Sequence, residues 1–211
     1  MARKYRQLPI EPEAFEYGKI IHKILETYYR NIPNSLTPKE IDIYIDNAIQ
    51  RAFGLPYNKI ESKFKFFKKH FRKFEKFRLT NHLVVEAVEL KKERKIFRGI
   101  ADLVLRSPSN ERIILDWKTS SLNSIPDYIK LQGCIYSYIF EANKVIFYST
   151  STGRWWQISA KDCEEVAEEL NQIISLIKSG YNEKKKGDWC KYCEYQIACW
   201  FEEVSQCNLL V

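Results

Sequence analysis

Between Pro12 and Arg30, Phe15, Ile20, Ile21, Ile24, Leu25 and Tyr28 recur at steps of three and four residues, the period of a helix with one apolar face. His22 falls inside that predicted helix. Ser35 to Pro38 interrupts the pattern. Thr37-Pro38-Lys39-Glu40 then has the form of a capping box with proline at the first helical position, so a second helix should bury Ile41, Ile45, Ala48, Ile49 and Ala52 and stop near Gly54. From Lys59 to Arg78, Phe64, Phe67, Phe71, Phe74 and Phe77 repeat the helical spacing. They predict a third helix whose aromatic stripe packs into the core and whose lysines occupy its other faces.

The period changes in the middle of the chain. His82 to Glu89 and Ile96 to Leu105 are rich in Val, Ile and Leu, and Ser107-Pro108-Ser109-Asn110 supplies a turn before Ile113 to Trp117. Three successive strands, paired antiparallel, are expected. Helical character resumes over Leu131 to Phe140. Lys144 to Ser149 reads as a further strand, turning at Thr152-Gly153 into Trp155 to Ile158. Asp162 to Lys178 predicts a long helix with Val166, Leu170, Ile173, Ile174 and Ile177 inward. The pattern implies an α/β fold: a central mixed β-sheet flanked by helices, with helical N- and C-terminal additions. At 211 residues one domain is expected, since the prior of about 150 residues per domain gives no firm reason to divide the chain. Residues 1–80 would be its helical part, 81–160 the sheet with its packed helix, and 161–211 a final helix and a cysteine-rich tail.

Charge sharpens this picture. Residues 59–78 hold nine Lys or Arg against Glu61 and Glu75, which accounts for the whole net charge of +7. Such a patch attracts phosphate backbones by releasing condensed counterions, so nucleic acid is the first partner to consider, with Lys68, Lys69 and Arg72 as candidate DNA contacts. A basic face that is merely solvated is the competing reading. At 45% hydrophobic and 29% charged residues, the composition is that of a soluble globular protein and excludes the disordered and membrane classes. The opening Met-Ala-Arg-Lys-Tyr-Arg-Gln lacks the apolar run of a secretory signal, and no stretch reaches about 18 apolar residues. An intracellular, cytoplasmic protein is expected.

Asp116, Trp117 and Lys118 end the apolar run Ile113-Ile114-Leu115, and fourteen residues before Asp116 the preceding strand carries Gly99-Ile100-Ala101-Asp102. Two aspartates can hold a hard divalent cation such as Mg²⁺ while leaving room for water and a phosphate. Lys118 shares a strand face with Asp116 and can orient or deprotonate an attacking water. Four elements then occur in order: Gly18-Lys19-Ile20-Ile21-His22, Gly99-Ile100-Ala101-Asp102, Asp116-Trp117-Lys118 and Gln132-Gly133-Cys134-Ile135-Tyr136. Together they resemble the motif series of the PD-(D/E)XK nuclease superfamily, in particular its RecB-like branch, over roughly residues 15–200.

That resemblance implies roles. His22, Asp102, Asp116 and the backbone carbonyl of Trp117 would be metal ligands, with Mg²⁺ or Mn²⁺ as the cofactor. Lys118 would stabilise or activate the nucleophilic water, and Gln132 and Tyr136 would support the active site and position DNA. Glu86 would fill the acidic position on the preceding strand, with Glu89 competing for it. Ala101 stands where the family often has proline, and neither this nor the use of Asp116 removes a ligand.

Cys190-Lys191-Tyr192-Cys193 followed by Cys199 has a spacing that can converge on one soft metal centre. In RecB-like nucleases with an iron-sulfur cluster such a trio is joined by a cysteine near the N-terminus, and no cysteine precedes Cys134 here. Cys207 could complete a four-cysteine site for an iron-sulfur cluster or zinc. Packing as small apolar residues, or disulfide pairing, remains open, while Cys134 and Cys163 are expected to be buried packing residues.

The expected activity is therefore hydrolysis of DNA phosphodiester bonds by a metal-dependent nuclease, with single-stranded DNA favoured because the resemblance is to processing exonucleases and because aromatics near the basic helix can stack bases. Replication, recombination or repair would be its setting. The resemblance extends to stand-alone nucleases of archaea and their viruses, which would place a viral protein in the host cytoplasm. Two other readings stay open. A structure-specific endonuclease of the Holliday-junction type would use the same carboxylates, and a homodimer or higher homo-oligomer would suit it. A non-catalytic nucleic-acid-binding protein would rely on the Phe-Lys helix and the cysteines, but carboxylates in a phosphate groove repel DNA unless a cation intervenes.

Overall fold

The computed structural model describes residues 13–33, 36–53, 61–121 and 124–180. Helices α1 (Glu13–Asn31), α2 (Ile41–Phe53) and α3 (Glu61–Thr80) come first, followed by strands β1 (Val84–Arg94), β2 (Phe97–Arg106) and β3 (Arg112–Lys118). Helix α4 (Asp127–Phe140) leads into β4 (Lys144–Ser149) and β5 (Trp155–Ile158), and α5 (Ala160–Glu165) and α6 (Ala167–Lys178) complete the described chain. Cys190, Cys193, Cys199 and Cys207 lie outside the described residues.

The five strands form one sheet in the order β1-β2-β3-β4-β5. Antiparallel pairs join β1 to β2, β2 to β3 and β4 to β5, whereas β3 and β4 are parallel. A parallel pair cannot be closed by a tight hairpin, so α4 serves as the crossover between β3 and β4. The sheet is thus the expected mixed one, with a core on each face. On one face Leu103, Leu105, Ile113, Leu115, Trp117, Ile146 and Tyr148 pack against the apolar stripes of α1, α2 and α3. On the other, Val104, Ile114, Val145 and Phe147 meet Ile129, Ile139 and Phe140 of α4.

The phenylalanine stripe of α3 splits along its length. Phe64, Phe67, Phe71 and Phe74 are buried, and Phe71 and Phe74 reach the Trp117 ring at 6.0 and 4.9 Å between centroids. Each buried ring contributes about 1.5–3 kcal/mol by leaving water. Trp117, flanked by Asp116 and Lys118, is therefore a packing anchor that fixes the end of β3. At the start of α2, the Glu40 carboxylate accepts the Thr37 N–H at 2.9 Å and the Thr37 hydroxyl, so the turn before Ile41 is closed by the residues the capping pattern named.

Three expectations change. First, β1 continues five residues past Glu89, through Leu90-Lys91-Lys92-Glu93-Arg94, and pairs with β2 as a two-stranded arm. Its high charge concealed a strand whose outer side faces water. Second, the long final helix breaks at Val166 into α5 and α6, with Ser159 and Asp162 forming a reciprocal capping box at the start of α5. Third, Cys134 of α4 and Cys163 of α5 form a disulfide instead of serving only as packing residues.

Candidate active site

The β2–β3 ladder ends at Leu103↔Leu115, one residue before Asp102 and Asp116. Beyond that point the strands part, and Asp102 Oδ2 accepts the Trp117 N–H at 2.7 Å in place of a strand partner. At the opening β3 stays with β4, as far as Lys118↔Ser149, while β2 stays with β1. Both aspartates stand at its mouth.

A second irregularity supplies another carboxylate. The register pairs Val88 with Leu103 and Leu90 with Ala101, which puts Glu89 opposite Asp102. Residues two apart on a regular strand share a face. Here they do not: Val88 and Leu103 pack on the α1–α3 side, whereas Leu90 and Ala101 pack on the α4 side. The alternation slips at the Glu89–Asp102 step, where Glu89 has a φ of 51°. A left-handed backbone at a residue with a side chain costs about 1–2 kcal/mol, and such strain concentrates at functional sites. Its effect here is to bring Glu89 to the side of Asp102.

From α1, His22 reaches both strands. Its Nδ1 is 3.3 Å from Asp102 Oδ1, and its Nε2 is 3.1 Å from the Trp117 carbonyl oxygen. Ligating atoms of His22, Glu89 and Asp102 all lie within 4.8 Å of one another. Lys118 Nζ is 2.7 Å from Asp116 Oδ1 and donates to Gln132 Oε1 at 3.1 Å. The Gln132 amide nitrogen donates to Asp116 Oδ2 at 3.4 Å and to the Tyr136 hydroxyl at 3.0 Å. His22, Asp102, Asp116, the Trp117 carbonyl, Lys118, Gln132 and Tyr136 thus form one connected set. A cleft of about 500 Å³ opens over it, lined also by Lys19, Lys23 and Glu26 of α1.

Close packing of α4 makes this set. A Cβ on Gly133 would stand 2.5 Å from Ile158 Cγ1 and 3.1 Å from Phe147 Cε2, so only glycine lets the helix sit this near the sheet and bring Gln132 to Asp116. Gly99 of β2 is packed less severely, since a Cβ there would meet Ile139, Phe140 and Tyr136 side chains, each at 3.3 Å.

The cluster is short of positive charge. Burial pushes the Asp116 carboxyl up to about 6, with nearby Asp102 adding to the shift and Lys118 and His22 opposing it. Glu89 is raised by burial and then by Asp102. Burial alone would lower His22, but Asp102, Asp116 and Glu89 hold it above its ordinary value. Tyr136 is raised by burial and by Asp116. Asp116 Oδ1 is buried against the Lys118 ammonium at 2.7 Å, as Asp46 Oδ1 is against Lys68 at 2.6 Å. The imidazole of His22 and the carboxylates of Glu89 and Asp102 are a converging donor set that a divalent cation would complete, with Asp116 and the Trp117 carbonyl beside it.

Glu86 is a correction. It is the extra residue of a β-bulge between Val85 and Ala87, and its carboxylate binds Arg106 at 2.6 Å and Arg112 at 2.7 Å, at the far end of the β2–β3 ladder. Burial opposes ionisation there, but Arg112 and Arg106 hold the group below the usual carboxylate range. The competing Glu89 occupies the site. Sequence separation could not tell the two apart, because one bulged residue shifts every later side chain to the other face.

The basic helix is also partly neutralised. Lys68 pairs with Asp46 and Arg72 with Asp42, each at 2.6 Å, which ties α3 to α2. Lys69 remains exposed, as do Lys65, Lys73 and Lys76. Lys19 and Lys23, unmarked by any motif except the spacing around Gly18 and His22, line the cleft itself.

A mixed sheet between two helical layers, with clustered acids where central strands part, defines a restriction-endonuclease-like α/β class. The chain belongs to the PD-(D/E)XK nuclease superfamily, whose family model matches residues 2–200. No curated protein sequence matches it. The chain is similar to the solved structure of SSO0001, at 19% identity and a TM-score of 0.40, over 86% of this chain and 94% of that one. No helix among the described residues is long and apolar enough to cross a membrane.

Proposed function

We propose that the chain is a Mg²⁺- or Mn²⁺-dependent deoxyribonuclease of the RecB-like kind, a single catalytic domain that hydrolyses phosphodiester bonds in single-stranded DNA during replication, recombination or repair. The observation that carries this reading is the convergence of ligating atoms of His22, Glu89 and Asp102 within 4.8 Å of one another, beside a buried Asp116 paired with Lys118. His22, Glu89, Asp102, Asp116 and the Trp117 carbonyl would hold the cation. A bound divalent cation supplies charge that polarises a phosphate oxygen and lowers the pKa of water.

The chain's own groups do the rest. Lys118, held by Gln132 Oε1 and Asp116, presents an ammonium over the opening, where it orients the attacking water and balances charge building on phosphate oxygens. Water oxygen bonds to phosphorus as the bond to the leaving sugar oxygen breaks. Gln132 keeps Lys118 and Asp116 at fixed spacing, and Tyr136 fixes the Gln132 amide. Lys19 and Lys23 take the phosphates nearest the centre, while Lys69 and the other exposed lysines of α3 act further out.

Labelled single-stranded, duplex and four-way DNA, each incubated with Mg²⁺, Mn²⁺ or chelator, tests the proposal. Cleavage of the single strand with metal and none with chelator is the expected result. Absence of metal-dependent cleavage on every substrate refutes it, and preference for the four-way junction replaces it with the structure-specific endonuclease.

A further inference from the structure

The geometry points to a second substrate subsite: a slot for one unpaired nucleobase on the α4 side of the catalytic cluster, walled by Tyr128 and Ile100. It deepens the nuclease reading and rests on it.

The slot is a groove of about 580 Å³ between β2 and α4, lined by Arg98, Ile100, Tyr128, Leu131, Gln132 and Tyr136 among others. It exists because the β2–β3 ladder stops at Leu103, so residues 97–101 of β2 pair with β1 alone and leave their other edge open towards α4. Gln132 and Tyr136 belong to this groove, and Gln132 also bonds Asp116 and Lys118, which line the α1-side cleft. The Gln132 side chain therefore stands between the two cavities. A strand whose phosphate lies at Lys118 continues on both sides of that phosphate. One side runs past Lys19 and Lys23; the other enters the α4 groove.

The two walls differ in chemistry. The α1 cleft presents cations suited to a phosphate backbone. The α4 groove instead exposes large apolar groups side by side: Tyr128 is 67% exposed and Ile100 41%. Among the described residues the Tyr128 ring has no aromatic partner. Exposed apolar surface gathered in a groove marks a binding site, and a flat ring beside an aliphatic one suits the face of a base. Arg98, at the rim, has a side chain 73% exposed and, among the described residues, paired only with the exposed Glu93, so it remains able to meet a flanking phosphate. A base within a duplex has both faces stacked already. The slot thus selects an unpaired nucleotide next to the scissile bond.

The test is cleavage of end-labelled single-stranded DNA by the full chain with Mg²⁺, using a substrate series in which one abasic sugar is stepped away from the cleaved bond. Tyr128→Ala should raise KM about tenfold, within the range of base–aromatic stacking, with kcat little changed. Tyr128→Trp should restore wild-type KM. One abasic position should raise KM in the wild type and add nothing in Tyr128→Ala. Unchanged KM in Tyr128→Ala, or an abasic penalty that adds to the substitution at every position, overturns the slot while leaving the nuclease reading in place. A wild-type chain that neither cleaves nor binds DNA overturns both.

Discussion

Two clusters of buried charge, one within the α1–α3 layer and one where β2 and β3 part, are completed to different degrees. Glu75, fully buried on α3, receives the Tyr28 hydroxyl at 3.2 Å, the Tyr29 hydroxyl, and three Arg78 contacts between 2.8 and 3.1 Å. Arg78 in turn donates to the Leu83 carbonyl at 2.9 Å. Every charge there has a protein partner. Around Asp116 the balance differs: Lys118 meets its Oδ1 at 2.7 Å, but Asp102 and Glu89 add two further carboxylates, and Asp116 and Glu89 both resist ionisation. The closed cluster joins helix to helix and strand. The open one gathers Asp116, Asp102 and Glu89 around Lys118 and His22, an excess of negative charge that a bound cation would balance, which separates a structural ion pair from a site poised for a ligand.

Substitutions can break this contrast. Asp116→Asn should lower kcat/KM by at least about a thousandfold in Mg²⁺, because it removes a charge that several kcal/mol of transition-state stabilisation depend on. The same variant should be more thermostable than the wild type in chelator. Glu75→Ala should do the reverse, costing about 3–5 kcal/mol by leaving Arg78 buried and unpaired. Thermal unfolding in chelator reads both signs, and equal destabilisation by the two variants would erase the distinction.

Acid should report the same excess of negative charge. The folded Asp116 pKa of about 6 exceeds its ordinary 3.8, so the folded chain binds a proton that the unfolded chain releases between these values. In chelator, this group's contribution makes stability fall as pH rises through that window, by roughly 3 kcal/mol, and Asp116→Asn should remove the slope. Denaturant titrations at several pH values measure it.

The disulfide offers a test of how α4 is held. The bridge between Cys134 and Cys163 spans 29 positions, and Cys163→Ser should reduce stability by about 3 kcal/mol in the chain-entropy picture. Denaturant unfolding under non-reducing conditions checks it.

Smaller effects sharpen the assignment of residues. Glu89→Gln should weaken Mn²⁺ binding at least about tenfold by calorimetry, while Glu86→Gln should leave it unchanged and loosen the sheet end near Arg112. Equal effects would return Glu86 to the site. Least of all, replacing Lys65, Lys69 and Lys73 with Ala should reduce the salt dependence of DNA binding by a slope of about 1–3. Replacing the paired Lys68 and Arg72 should change stability more than it changes that slope.

Much of this was legible along the chain. Three- and four-residue periodicity marked α1, α2 and α3, and runs of β-branched residues marked the strands, because each signal sums over neighbours that touch within one element. The roles of His22, Asp102, Asp116 and Gln132 were legible in another way, through the resemblance of four motifs in order, which no local period carries. The arm beyond Glu89 was hidden because its pairing partner, not its own composition, makes it a strand.

What folding alone decided is which carboxylate joins the cluster and which cations stay exposed. The bulge at Glu86 and the left-handed Glu89 depend on contacts between β1 and β2. The pairs Lys68–Asp46, Arg72–Asp42 and Cys134–Cys163 join residues more than twenty positions apart. Local pattern carries the identity of a helix or strand, since its energy is local. Side-chain partnership across elements has no periodic trace, so it emerges only when the layers pack.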